Sequence, residues 1–208
     1  MNFNSLKYLI LGIYFIHLML MGHDAETNKP FEKVHAHNTL DAHFHAGWES
    51  RYFSEGRDAL NGKSLWNSSL EIGYDHLSGG VWYGRSSNHQ YDEWQYNLAL
   101  SQEMGGYSFY AGYTHLIFAK DVESDDEWST GISYEGLPFN LITSLDAYYS
   151  MDAKGTFYEW SNTREFNPQE DLDISFSGTF GWNENYITDG HDGLNYFSLR
   201  SGAKKVLF

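Results

Sequence analysis

From Leu40 onward, apolar and polar residues alternate with a period of two in one segment after another. This constrains the fold more than any other feature, because successive side chains of a strand point to opposite faces whereas a helix repeats every 3.6 residues. In "LWNSSLEIGYDHL", Trp66, Leu70, Ile72 and Tyr74 alternate with Asn67, Ser69, Glu71, Gly73 and Asp75. In "WQYNLALSQE", Trp94, Tyr96, Leu98 and Leu100 alternate with Gln95, Asn97, Ala99, Ser101 and Glu103. "AHFHAGWESRYF" sets Ala42, Phe44, Ala46, Trp48 and Tyr52 against His43, His45, Glu49 and Arg51. The pattern returns in "YSFYAGYTHLI", "EWSTGISYE", "FNLITSLDAYY" and "LDISFSGTFGW". It is weaker in "GGVWYGRSS", "TFYEWSNTREF" and "NYFSLRSGA", where strands are expected but alternation alone assigns no face. Together these segments predict roughly ten strands of about 8 to 13 residues, a length suited to tilted strands that cross a membrane.

The connections alternate as well. Those at "HLSGG", "EMGGY", "EGLP" and "FNPQED" read as tight turns, while "SEGRDALNGKS", "SSNHQYD", "AKDVESDDE", "SMDAKG" and "NENYITDGHDG" read as longer polar loops. Short turns at one end and longer loops at the other are the habit of outer-membrane barrels, whose neighbouring strands are antiparallel hairpins. Period two does not say which face is outward, since a soluble barrel alternates with its apolar face inward. Height along the strand discriminates. Tyr52, Trp66, Trp94, Trp128, Tyr149 and Trp182 fall at the long-loop ends, and Tyr74, Tyr107, Tyr134 and Phe139 at the short-turn ends. Between them lie Leu70, Ile72, Leu98, Leu100, Ala111, Ile132, Leu141, Leu145, Ile174 and Phe176. Two aromatic girdles around an aliphatic band suit a surface that faces lipid, because Trp and Tyr rings settle at the headgroup level. The expected fold is all-β: an antiparallel up-and-down transmembrane β-barrel of about ten strands.

The opening "MNFNSLKYLILGIYFIHLMLMGHDA" places Lys7 before an apolar run from Tyr8 to Gly22, the shape of a secretory signal and short for a spanning helix. Residues 1–25 are read as that signal, 26–40 as a polar leader carrying Pro30, and 41–208 as the barrel, exported to an outer membrane. The 13 Lys and Arg against 28 Asp and Glu give a formal charge of -15, which repels nucleic acid. Cysteine is absent, so the chain has no disulfide framework and no thiolate ligand or nucleophile.

The signal-like opening, the strand "HFHAGWESRYFSEGRD" and the run "SSLEIGYDHLSGGVWYG" resemble the small TorF-type porins, outer-membrane β-barrels of Gram-negative envelopes. The likeness covers most of the chain after Leu40 and rests on strand patterns with aromatic and glycine placements. The family's first strand commonly ends in an aromatic followed by Arg-Gly; here the order is Arg51-Tyr52-Phe53, with Gly56-Arg57 later. The resemblance implies a pore-like membrane barrel with no catalytic residues to carry over.

His35 with His37, and His43 with His45, are spaced so that each pair shares one face of a strand and could hold zinc or copper through imidazole. A zinc site needs further ligands of fixed geometry and none is signalled, so His43 and His45 are read as part of a wetted wall. The acidic "DVESDDE", with Asp121, Glu123, Asp125, Asp126 and Glu127, lacks the spacing of a calcium loop and is read as a solvated external loop. Scattered Ser, His and acidic residues supply no triad geometry, so neither an enzyme nor a cofactor or metal is expected. The residues expected to face the lumen are His43, His45, Glu49, Arg51, Glu71, Asp75, Glu93, Glu103, Glu135, Asp146 and Asp173. Their acidic balance predicts a small diffusion pore that favours cations. The alternative is a non-conducting barrel with a structural or loop-mediated binding role. The partners expected are membrane lipid and small solutes or cations, with no nucleic acid and no sign of an oligomeric state.

In "NYFSLRSGAKKVLF", counting back in twos from Phe208 would turn Lys204 and Arg200 to lipid, and a midplane Arg costs about 2 to 4 kcal/mol. The other parity, Phe197, Leu199, Ser201 and Ala203, suits lipid better. It makes "AKK" a turn and "VLF" the start of a further strand. The expectation is therefore a chain that stops short of a natural barrel of about twelve strands, since bacterial barrels carry an even number. Phe197 to Ala203 would then be an imperfectly paired edge.

Overall fold

The alternating segments become strands, and each pairs with the next along the chain. In the computed structural model, which describes residues 40–169, 172–187 and 191–205, these are β1 (Leu40–Glu49), β2 (Phe53–Ser54), β3 (Arg57–Asp58), β4 (Leu65–Tyr74), β5 (Leu77–Ser86) and β6 (Asp92–Met104). They continue as β7 (Tyr107–Phe118), β8 (Glu123–Leu137), β9 (Leu141–Ser150), β10 (Gly155–Gln169), β11 (Leu172–Glu184) and β12 (Gly193–Lys205). One 10-stranded sheet runs β1-β4-β5-β6-β7-β8-β9-β10-β11-β12, and β2 with β3 forms a separate hairpin. Every ladder of the large sheet is antiparallel, so the topology is an up-and-down meander. The signal segment and residues 26–39 of the leader, with the His35 and His37 pair, lie outside the described residues, while Leu40, read as the end of the leader, opens β1.

Register keeps the apolar rows continuous from strand to strand. Phe44 stands opposite Leu70 and Trp48 opposite Trp66. Leu100 faces Ala111, Ile132 faces Leu145, and Phe180 faces Phe197. A one-residue slip in any of these ladders would send a whole row to the other face. The connections are two-sided: Asp75-His76, Gly105-Gly106 and a 3-10 turn over Pro138–Asn140 at one end, longer segments at the other. Gly105 and Gly106 have φ of 60° and 83°, left-handed values that a residue without Cβ adopts at little cost.

The sheet curls, since inner-face residues of β6 through β12 line one cavity. It does not close into the expected barrel: among the described residues no ladder joins β1 to β12. All the other ladders are zipped by a hairpin, whereas a β1-β12 ladder would have to bring together the two ends of the sheet with no turn behind it. Phe197 to Ala203 therefore lie on an edge.

Four local expectations are corrected. "LSGG" belongs to β5, because the turn is completed by Asp75 and His76 alone. Residues 123–127 are strand and not loop, since β7 and β8 pair as far as Phe118 with Glu123. The loop at 54–64 contains the β2-β3 hairpin, with Phe53 opposite Asp58 and Ser54 opposite Arg57. Ala203, Lys204 and Lys205 form no turn but continue β12 opposite Ile174, Asp173 and Leu172. The further strand expected at "VLF" lies outside the described residues.

Candidate functional site

The two faces of the sheet carry opposite chemistry. Leu98 and Leu100 on β6 are 53% and 60% exposed, while Glu93 and Gln95 on the same strand are 2% and 5% exposed. A protein stabilised by burial in water would show the reverse. The outer face also exposes Phe44, Leu70, Ile72, Ile132, Leu145, Phe176, Phe197 and Leu199, and the inner face buries Asn67, Thr114, Ser129, Asp146, Ser161 and Thr179.

The aromatic residues expected in girdles lie mostly on the outer face. Trp66, Trp94, Trp128, Tyr149 and Trp182 are exposed towards the long-loop end, Tyr74 and Tyr107 are exposed at the short-turn end, and Tyr134 is half-buried against Tyr107, with ring centroids 4.5 Å apart. Further contacts build this belt: Tyr83 with Trp94 at 4.5 Å, Tyr113 with Trp128 at 5.3 Å, and Trp48 with Trp66 at 6.4 Å. Just beyond Trp128 the outer surface turns polar, where Asp126 accepts from Tyr113 at 2.5 Å and contacts Nδ1 of His115 at 2.8 Å. Tyr52 is the correction. It is 1% exposed and points inward, because β1 ends at Glu49 and the bend that follows breaks the strand's parity.

The residues expected to face the lumen divide by height. Glu49, Glu93 and Asp146 are buried on the inner face in the long-loop half. Asn67 donates to Glu49 at 2.7 Å, Gln95 donates to Glu93 at 2.7 Å, and Tyr110 and Ser144 donate to Asp146 at 3.0 and 3.3 Å. Glu71 is half-buried on β4. The others depart from a buried wall. His43 and His45 are exposed on the edge strand β1, and Arg51 is exposed in the bend after it. Asp75 sits in the β4-β5 turn with φ 54°. Glu103 is exposed near the end of β6, and Glu135 is exposed where the β8-β9 register breaks between Tyr134 and Leu137. Asp173 is exposed and accepts from Asn167 at 2.6 Å.

Tyrosine capping of buried and half-buried carboxylates is the feature that sequence reasoning misses. Tyr91 donates to Glu93, Tyr186 to Glu127 and Tyr196 to Glu159. Tyr91 and Tyr186 stand in the connections outside the strands. Burial first, and the neighbouring carboxylates second, push both phenols well above their ordinary range, so they remain donors. For Tyr110 and Tyr196 the signal is available in part, since both occupy the inner parity of their strands. Tyr91 and Tyr186 lie where no parity exists.

Two aromatic clusters stand inside the long-loop end. Tyr52, Leu60, Leu65 and Trp82 pack together with Tyr91 against them, and Tyr148, Phe157 and Ile187 pack with Tyr186 and Tyr196. Between them opens a cavity of about 1000 Å³. Its walls carry Glu55, Asp58, Glu93, Glu123, Asp125, Glu127, Asp152 and Glu159, against Arg57 and Arg200. Such an excess of carboxylates raises the local concentration of cations. Among the described residues no group of three or more His, Cys, Asp or Glu is placed to hold a metal ion, and no helix is long and apolar enough to cross a membrane. No protein-family model, curated protein or solved structure matches the chain.

Proposed function

We propose that this is an outer-membrane protein whose outer face lies in lipid and whose inner, acidic face bounds a small diffusion pore that favours cations. One observation carries the reading. Along the ladder strands the outward row leaves aliphatic and aromatic side chains exposed, and most of the buried residues are Glu, Asp, Gln, Asn, Ser and Thr, with buried apolar side chains gathered mainly in the two clusters at the mouth. That inversion costs stability in water and becomes favourable when hydrocarbon covers the outer face, with Trp and Tyr at its borders. In hydrocarbon each unpaired backbone group on β1 and β12 would cost several kcal/mol, so the embedded form requires those edges to be paired. The acidic mouth supports cation preference, and the resemblance to TorF-type porins belongs to the same proposal. Conductance across a planar bilayer in a KCl gradient tests it: a cation-selective reversal potential is expected, and an anion-selective one refutes it.

The second reading, a barrel that does not conduct and acts through its loops or as a structural element, is favoured by the aromatic clusters that occupy part of the mouth. Swelling of protein-loaded liposomes in small sugars separates the two, since a filled barrel gives no swelling.

A further inference from the structure

The geometry points to the β2-β3 hairpin as a constriction clamped to the last strand, which sets the size limit for solutes entering the inner space. The inference rests on the pore reading above. The hairpin is a built element, closed at its root by the Ala59 amide donating to the Tyr52 carbonyl at 2.9 Å. Ser54 and Arg57 hold the carboxylate of Glu55 at 2.6 and 3.1 Å, which stiffens the tip.

Both ends are anchored, and to different parts of the sheet. At the root, Tyr52 and Leu60 are buried against Leu65 and Trp82, with the Tyr52 and Trp82 rings stacked 6.4 Å apart. At the tip, Asn195 on β12 donates to the Glu55 carbonyl at 3.3 Å, linking positions 140 residues apart. Gly56, with φ 75°, lies so close to Tyr196 that an added Cβ would stand 2.5 Å from the Tyr196 Cβ. Only glycine fits that approach without displacing one partner. Between its anchors the hairpin presents Ser54, Arg57 and Asp58 to the same cavity that Glu127 and Tyr148 line from the ladder strands. A solute therefore passes beside the hairpin, whereas an unanchored surface loop would leave the mouth as wide as the sheet allows. Pore diameter and lining then set selectivity there.

The absence of native cysteine makes the clamp directly testable in the full chain. Glu55→Cys with Asn195→Cys gives up the Asn195 donor but keeps the Gly56–Tyr196 approach that holds the tip, so in lipid a short bismaleimide should still give a nearly complete internal cross-link on a denaturing gel. Gly56→Val should push the tip off Tyr196, lower that cross-link several-fold, and let liposomes swell in larger sugars, with rates raised about twofold or more. Asn195→Ala, which leaves the backbone intact, should shift the sugar limit in the same direction by less and serves where Gly56→Val does not assemble. Failure of the parent pair to cross-link overturns the clamp. A lost cross-link with an unchanged size limit overturns the constriction while the pore stands. A complete cross-link with no sugar passing in any variant overturns the pore reading and the size limit with it.

Discussion

On the same strands, within a few ångströms, the outer and inner faces follow opposite rules. The outer face of β6 carries Trp94, Tyr96, Leu98 and Leu100, all exposed and joined to their neighbours by ring and aliphatic contacts. The inner face carries Glu93, Gln95, Asn97 and Ala99, of which all but the half-buried Asn97 are buried. Inside, order comes from directional partners: Thr114 donates to Asn97 at 2.8 Å, Gln95 to Glu93, and Ser144 pairs with Ser161 at 2.6 Å. Among the described residues, this sheet has no buried apolar cluster beyond the two small ones at its mouth. Its inner polar face supplies specific geometry, and its outer face leaves a broad apolar surface exposed. Substitutions that exchange the rules between the faces test this directly.

The largest expected effect comes from placing a charge on the outer face. Leu70→Arg, Leu98→Arg or Ile132→Arg should each cost about 2 to 4 kcal/mol in lipid, the midplane penalty for outer-membrane barrels. Ser69→Arg and Ser133→Arg, on inner-face positions of β4 and β8, should be mild. Asn97→Arg is a less clean control, because Asn97 accepts from Thr114 and loses that bond. Reversible urea unfolding in vesicles provides the comparison. Equal losses on both faces would mean that the outer surface does not meet hydrocarbon.

Next in size is the removal of a cap from a buried carboxylate. Tyr186→Phe leaves Glu127 without its phenol donor, and an orphaned buried group costs about 1 to 3 kcal/mol. Loss of stability in the same unfolding assay, partly recovered by adding Glu127→Gln, would assign the cost to the unpaired carboxylate. No recovery would place the cost elsewhere than at Glu127, since Phe keeps the ring whose centre stands 5.7 Å from that of Phe157.

Glycines sharpen the same contrast. A Cβ at Gly131, on the inner face of β8, would come within 2.3 Å of Asp146 Oδ1 and 2.4 Å of the Tyr110 ring. Gly131→Ala should therefore cost about 1 to 3 kcal/mol, the usual penalty of overpacking. At Gly178, on the outer face of β11, the nearest atom would be Leu199 Cδ2 at 3.6 Å, an ordinary contact. Gly178→Ala should be neutral or stabilise by about 0.4 to 1 kcal/mol through the unfolded chain. A cost at Gly178 equal to that at Gly131 would show that both faces are equally crowded.

The sequence made the strands and the two faces legible wherever the chain pleats without interruption. Leu98, Ile132 and Phe197 lie outward and Glu93, Asp146 and Arg200 inward because period two is the geometry of the strand itself. Parity fails once the strand ends. Arg51, Tyr52 and Asp75 lie in a bend or turn, and Glu135 in a register break, where the alternation of the neighbouring strand no longer fixes a face. Strand ends were obscured because Glu123 to Glu127 look like a loop by charge, yet pairing with β7 keeps them extended. The capping tyrosines and the hairpin's reach to β12 depend on contacts between distant residues, which no local pattern records.

The smallest effect is expected at the short-turn end of the inner face. Glu103 and Glu135 follow the inner parity in the sequence, as Glu93 and Glu127 do, but they are exposed near strand ends. Glu103→Gln and Glu135→Gln should stay within about 0.5 kcal/mol of the parent, since both side chains are exposed and each exchange keeps their size. They still remove charge from one end of the inner space. If cations cross it, the reversal potential in a KCl gradient should move towards zero less for these than for Asp125→Asn or Glu159→Gln, whose carboxylates line the mouth. A larger shift at Glu103 than at Glu159 would place the selective region at the short-turn end and reverse the assignment made from the cavity.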